Sequence, residues 1–395
     1  MPDAPEYSLE NLVLNEEKRL AEFPVATERI FMGHAAVTSL PRRVAEAIQA
    51  YTEDWAFGRR AFDQDLAEMN AARSLAADLI GAKKSEIALL GPTSLGLSLV
   101  AAGLPWQPGD EILCYQDDYP ANVYPWMELE RKGVKVNYIT PNAPGEITPQ
   151  LVAEAITPKT KLVALASCHF FSGYRIDIDA IGKLAHEAGA LFCLDAIQTT
   201  GAFPTSVEHV DFLSADSHKW LLGPAAAGIF YVAEEHFELL RPVLLGAWNI
   251  HSPGFVAQEE IVFEKTARRY EPGVINVTGV AGMRAGLEML LGLGIDTVAA
   301  RIMDVKATLV AELKQLGFAI VEPVTGSHAS GITTAYRSGD GPPIKDLFKH
   351  LMGNDVVVSF RENRAGDHFL RFSPHFYNTV GEIDRIADLI RGFDG

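Results

Sequence analysis

The chain has 395 residues, 48% of them hydrophobic and 22% charged, enough material for a large core or two domains. Its 34 basic and 51 acidic residues give a formal net charge of −17, which argues against nucleic acid or an anionic membrane surface as a partner. A local basic pocket around a small anion remains compatible with that balance, and no uninterrupted apolar stretch is long enough to span a bilayer.

The opening MPDAPEYSLENLVLNEEKRLAEFP is acidic and lacks the basic-then-apolar order of a secretory signal, so the cytoplasm is the expected compartment. Residues 1–28 read as an N-terminal segment packing with a small C-terminal domain. Through the next two-thirds, SEIALLGP, DEILCYQ, VKVNYIT, KLVALASC, ALFCLDA, DFLSADS and AGIFYVA read as short apolar strands between turn residues. Helical periods lie between several of them. In DAIGKLAHEAG, for example, Ile181, Leu184 and Ala185 share a face and Gly189 marks the stop. Strands alternating with helices predict an α/β large domain, residues 29–285, with a mostly parallel seven-stranded sheet and helices on both faces. From Asn276 the pattern changes to two successive helices, GVAGMRAGLEMLLGLG and IDTVAARIMDVKATLVAELKQLG. FAIVEP, GITTAYR, IKDLFKHLMG, DVVVSF, HFLRFSP and GEIDRIADLIRGF follow, an α+β pattern that predicts a smaller C-terminal domain over 286–395. The boundary falls in the helices near 280–300 without a flexible linker. Cys114, Cys168 and Cys193 are too few and too scattered for a disulfide framework or a zinc motif, and no metal site is expected.

Ligands of an open parallel sheet bind beyond the carboxyl ends of its strands, so the residues after each strand outline the site. After SEIALL, Gly91, Thr93, Ser94 and Gly96 open a helix whose free amides and hydroxyls suit a phosphate, or serve as a plain N-cap. After DEILCYQ comes Tyr119, a flat ring able to stack on a planar ligand or to pack at the rim. His169 follows KLVALASC and either lines the substrate side or is structural. Asp195 and Gln198 follow ALFCL. A carboxylate ending an apolar strand needs a cation or a proton to match it, unless it caps the next turn. Lys219 ends DFLSADSHK, 24 residues after Asp195. Alone it reads as a surface lysine; together with the other groups it fits pyridoxal phosphate. A buried lysine of lowered pKa anchors the aldehyde, a carboxylate keeps the pyridine nitrogen protonated, helix amides take the phosphate, and an aromatic ring covers the plane.

With those residues in view, the chain resembles class V aminotransferase-family enzymes of fold type I, the group of cysteine desulfurases, isopenicillin N epimerase and kynureninase. The resemblance runs from FMGHAAVTSLP at 31–41 to RFSPHFYNT at 371–379, and is most specific in DAIQ, SHKW, YEPGVINVTG and the terminal R-F-S-x-x-x-Y-N. It implies that Lys219 is the covalent anchor and base, that Asp195 holds the ring nitrogen, and that Gln198 bonds the phenolic oxygen. It further implies that Thr93, Ser94 and His218 bind phosphate, that Tyr119 stands where relatives often place a histidine over the ring, and that Arg371 binds the substrate α-carboxylate. Asn276, with the amides of Gly273 and Val274, matches a loop that in relatives reaches the partner subunit's phosphate, which implies a homodimer with shared sites.

The sequence departs from the pattern in three places. Asp216 stands where relatives often carry serine, and a phosphate would repel it unless its side chain turns away. Val274 replaces a common threonine, and VVVSFRENRAGDHFLRF lacks the cysteine on which desulfurases form a persulfide. The three cysteines sit on or beside core strands and read as inert packing. His34, His328, Arg29 and Arg361 are further candidates for the pocket wall, whereas Arg59 and Arg60 read as facing water. The function expected is a pyridoxal-phosphate enzyme acting at the α-carbon of a small amino acid, by transamination or by β-elimination of the C–S lyase kind, and not a persulfide-type desulfurase. The alternatives are an epimerase and, in another class, a non-catalytic scaffold of this fold. A dinucleotide-binding enzyme is disfavoured because no strand is followed by the glycine fingerprint.

Overall fold

The computed structural model describes residues 7–321, 323–337 and 342–393. All seven expected strands form and share one sheet: β1 (Ile87–Leu89), β2 (Glu111–Tyr115), β3 (Lys135–Ile139), β4 (Thr160–Ala166), β5 (Leu191–Asp195), β6 (Phe212–Asp216) and β7 (Gly228–Val232). Their order is β1-β7-β6-β5-β4-β2-β3. Neighbours run parallel except β7, which is antiparallel to both β1 and β6. Two reversals cancel, so β1 points the same way as β6. The carboxyl ends of the six co-directional strands therefore open on one edge, where such sheets bind ligands.

Alternate residues of each strand feed two separate cores, as a sheet covered on both faces requires. Leu113, Val163, Leu165, Phe192, Leu194, Leu213 and Ile229 join one core. It is closed by α1 (Arg42–Ala56), α2 (Phe62–Ile80), α4 (Ile178–Glu187) and α5 (Val277–Leu293). Ile112, Cys114, Leu162, Ala164, Cys193, Phe212 and Phe230 join the other, beneath α3 (Thr93–Gly103). The helices start at ordinary caps: Asp177 accepts the amide of Ala180 at 3.0 Å to open α4, and Asn276 accepts that of Gly279 at 2.9 Å to open α5. Gly189 stops the α4 region at φ 75°, a left-handed conformation suited to glycine. A Cβ at Gly96 would collide with Ser214 Oγ and lie 2.9 Å from Phe230, so glycine lets α3 sit directly on β6 and β7.

The carboxy-terminal unit pairs α6 (Ile295–Gln315), α7 (Ile344–Gly353) and α8 (Val380–Arg391) with a four-stranded antiparallel sheet. Its strands are β8 (Ala319–Ile320), β9 (Thr333–Tyr336), β10 (Ser359–Glu362) and β11 (His368–Phe372), in the order β10-β11-β9-β8. Val305, Leu309, Leu347, Leu370, Ile383 and Ile386 form its core. Because α5 runs unbroken past residue 285 and packs on α1 and α2, we place the division between the two units at Gly294, where φ is 82°.

The early chain reaches across to the second unit. Ile30 and Phe31 pair in parallel with Val356 and Val357, a two-residue ladder that periodicity did not reveal. Phe23 stacks on Tyr377 with ring centroids 4.1 Å apart, and buried Arg19 bonds Glu382 at 3.1 Å. Arg60 does not face water as expected. It lies 4.3 Å over the Tyr51 ring and 3.0 Å from Asp65, leaving Arg59 as the exposed member of the pair.

Candidate active site

Four of the sheet's carboxyl ends build the site. Asp195 closes β5 in register with Ala166 of β4 and Ser214 of β6. The chain leaves β6 at Asp216 and turns through 217–223, a loop closed by the Gly223 amide on Ser217 O at 2.9 Å and by Ser217 Oγ on Pro224 O at 2.6 Å. Buried Leu222 holds the left-handed conformation at φ 55°, a strained choice for a branched side chain that the packed turn sustains. Within this loop sits Lys219.

Lys219 is 7% exposed, and its carbonyl accepts the Leu222 amide at 3.2 Å, but among the described residues its Nζ makes no hydrogen bond or ion pair. Its Nζ lies 5.3 Å from the centroid of the Tyr119 ring. Burial brings its pKa down to about 8; Asp195 pulls the other way, while Arg371 and Arg361 push it further down. Burial raises the Asp195 carboxyl above its ordinary range, and the charge of Lys219 opposes that shift. The lysine and the acid therefore share one dry compartment.

The helix α3 points its first turn at the same compartment. Thr93 Oγ1 accepts the amide of Asp216 at 2.9 Å, fixing α3 to the lysine loop. As first-turn residues, Thr93 and Ser94 have amides with no intrahelical acceptor. Asp216 accepts from three donors, the amides of Ser217 (3.0 Å) and Ala226 (3.1 Å) and His218 Nδ1 (2.7 Å). It therefore acts as the hub of the loop and fixes His218. Gln198 accepts from Trp220 Nε1 at 2.8 Å and donates one amide hydrogen to Ala35 O at 3.1 Å, which leaves its second hydrogen free.

Arg371, on β11, is fully buried. It donates to Phe170 O at 2.6 Å and lies 3.5 Å from Ser359 Oγ, while its Nε has no partner. Burial and then the neighbouring Arg361 bring its pKa down to about 9. Tyr119 is half exposed and meets Phe170 edge-on at 5.5 Å.

Other candidates are committed elsewhere. His169 bonds Ser172 Oγ and Asp117 O, both at 3.0 Å, so only its ring face remains to offer a substrate, and burial lowers its pKa to about 4. His34 is braced between Ser373 O at 2.9 Å and the Tyr377 hydroxyl at 3.0 Å, and His328 bonds Arg175 O at 2.8 Å and stacks on Tyr174. Arg29 pairs with Asp355 at 3.8 Å on the surface. Asn276 caps α5 and reaches Ala226 O at 3.4 Å, on an exposed loop where Val274 is 74% exposed. Two groups carry weight that the sequence did not signal. Asp118 accepts from the Tyr119 amide at 2.7 Å and from Asn122 at 3.0 Å, and its carboxyl is raised to about 7 by burial and then by Asp195. Trp220 holds Gln198 in orientation.

A cavity of about 1360 Å³ lies beside this compartment, lined by Tyr115, Phe170, Tyr336, Arg364 and Phe369 among others. Lys219, Asp195 and Arg371 are not among its walls, so the cavity adjoins their compartment without enclosing it. Among the described residues, no helix is long and apolar enough to cross a membrane.

Against known proteins, the profile of the Aminotransferase class-V family matches residues 30–386. The cysteine desulfurase CsdA of Escherichia coli is 30% identical over 96% of this chain and 97% of its own. A cysteine desulfurase of Thermococcus onnurineus NA1 superposes with a TM-score of 0.86 at 24% identity, covering 95% of this chain and 98% of that one. The cystine C–S lyase C-DES, in complex with its reaction product cysteine persulfide, superposes with a TM-score of 0.84 at 20% identity, covering 94% and 100%. The structural likenesses establish the fold-type-I architecture, and the profile match with the CsdA identity establishes the family: the chain belongs to the class-V aminotransferases.

Proposed function

We propose that the chain is a pyridoxal-phosphate-dependent enzyme acting at the α-carbon of a small amino acid, by transamination or by β-elimination of the C–S lyase kind. One observation carries the reading: a buried, unpaired Lys219 of lowered pKa shares its compartment with buried Asp195 under the Tyr119 ring. The donor set fits the cofactor. Asp195 accepts the Ile197 amide at Oδ1 and keeps Oδ2 for the ring nitrogen, Gln198 has one free N–H for the phenolic oxygen, and Tyr119 covers the plane. The amides of Thr93 and Ser94, the Ser94 hydroxyl and His218 Nε2 would hold the phosphate. Asp216 accepts from two amides and His218 Nδ1, hydrogen bonds that stabilise its charge within the loop.

When bound, the cofactor supplies an electron sink for charge developing at the α-carbon. Arg371 would grip the α-carboxylate through a guanidinium whose Nε is otherwise unpartnered. Lys219 Nζ, freed by the incoming amine, would take the α-proton; a pKa near 8 suits a base that works near neutrality. Tyr119 and Phe170 would exclude water above it.

A persulfide carried on this chain's own cysteine is not supported. The turn Asn363–Asp367 between β10 and β11 holds no cysteine. Cys114 and Cys168 are buried with thiols pushed up to about 12 and about 11, and burial raises the Cys193 thiol well above its ordinary range. The names of the relatives nevertheless favour a substrate with a β-sulfur, which is why elimination stands beside transamination. A homodimer is part of the reading, supported by exposed Trp55, Phe57 and Phe62 and by exposed Val274 in the loop of Asn276.

The test is chromophore and product. Purified protein is expected to be yellow and to bleach on borohydride reduction, with Lys219→Ala lacking the reducible band. Keto acid formed only with an amino acceptor means transaminase, and sulfide or ammonia without one means lyase. Loss of optical rotation without conversion means epimerase. A colourless protein that takes up no pyridoxal phosphate sinks the proposal.

A further inference from the structure

We propose that this site selects an amino acid carrying a second carboxylate on its side chain, with Arg361 holding that group while Arg371 holds the α-carboxylate; the proposal rests on the functional reading above. The register of β10 and β11 sets Ser359 opposite Arg371 and Arg361 opposite Phe369. Opposed residues share a face and residues two apart share a face, so Arg361 and Arg371 project from the same side as diagonal neighbours. Diagonal separation on a sheet is about 7–8 Å between backbones, which long side chains readily span toward one ligand.

Neither arginine has a carboxylate partner among the described residues, and each keeps a buried Nε with no acceptor. Burial lowers both guanidinium pKa values, and both arginines push on Lys219. The nearby acids are spent elsewhere. Asp117 pairs with Arg364, Glu362 lies 3.6 Å from His368, and Asp118 serves the Tyr119 turn. Arg371 is fully buried and Arg361 partly so; two such cations without counter-charge are costly, and a lone α-carboxylate neutralises one of them. A dicarboxylic substrate neutralises both, and Arg361, two positions along the same face, is offset from the α-carboxylate site as a side-chain acid would be.

Titrate the chromophore of the holoenzyme with L-aspartate and L-glutamate against L-asparagine, L-glutamine and L-alanine. The acids should bind about tenfold tighter or more, the scale of a charge-assisted hydrogen bond. R361Q should reduce the preference for acid over amide to near one, whereas R371Q should weaken every amino acid alike. Equal affinity for aspartate and alanine in the parent protein overturns the proposal. So does R361Q weakening alanine as much as aspartate, which would mean that both arginines share one carboxylate. Thermal stabilisation by succinate against butyrate reads the same preference without a chromophore. A colourless protein that still prefers succinate overturns the cofactor reading and leaves the arginine pair standing; one that prefers neither overturns both.

Discussion

Lys219 illustrates how burial shifts the protonation of an ordinary residue. Its sign with pH follows from linkage: a folded-state pKa of about 8, below the ordinary 10.5, means the native state disfavours the protonated amine. That penalty is fully present below pH 8 and fades as pH rises from about 8 toward 10.5. In protein freed of bound aldehyde, Lys219→Met should therefore raise the melting temperature at pH 7 and lose this advantage by about pH 10.5, as read by scanning calorimetry. An advantage unchanged with pH would mean the lysine is not desolvated. Asp195→Asn should keep the borohydride-sensitive chromophore but slow α-proton exchange by about a hundredfold or more, because the amide cannot hold the ring nitrogen protonated. Deuterium exchange into the substrate α-position measures it. His169, His34 and His328 show the converse. His169 and His34 have both ring nitrogens engaged inside the chain and are made poor bases by burial, and His328 spends Nδ1 on Arg175 O.

At the scale of elements, the proposed phosphate cradle depends on how closely α3 approaches β6. Gly96→Ala would gain up to about 1 kcal/mol of helix propensity in isolation. Here the added methyl meets Ser214 Oγ and Phe230, so the variant should instead lose about 1–3 kcal/mol in urea unfolding, the usual scale of overpacking. A second joint ties α2 to β1. Arg73 and Glu271 form a buried pair at 2.5 Å, and Glu271 also accepts the Leu89 amide at 2.7 Å. Glu271→Ala strands the arginine charge and a buried amide together and should cost about 3–5 kcal/mol. Because Glu271 leads into the loop of Gly273, Val274 and Asn276, the same change should also loosen that loop, seen as faster amide exchange at 273–276.

At the scale of the whole molecule, the exposed aromatic residues where α1 ends and α2 begins support a second copy as their cover. On the proposed dimer, Trp55→Glu combined with Phe57→Glu should shift the protein to monomer in sedimentation and weaken cofactor retention in parallel. The sequence alone determined the seven strands, their alternation with helices, and the residues that follow them. Those signals are local: hydrophobic period, turn residues and the spacing of Asp195 from Lys219 all lie within short windows of chain. It also identified Asp216 as a departure, though only the fold supplied the three donors that quiet it. What tertiary structure decided was long-range. The pairing of Ile30–Phe31 with Val356–Val357, the burial of Asp118 against Asp195, and the diagonal of Arg361 and Arg371 on one sheet face have no signature in sequence. Whether a polar side chain is desolvated, and which neighbours remain to match its charge, depends on strands hundreds of residues apart. Desolvation and charge matching are what separate a base from a strut, and they arise only once the two units close on each other.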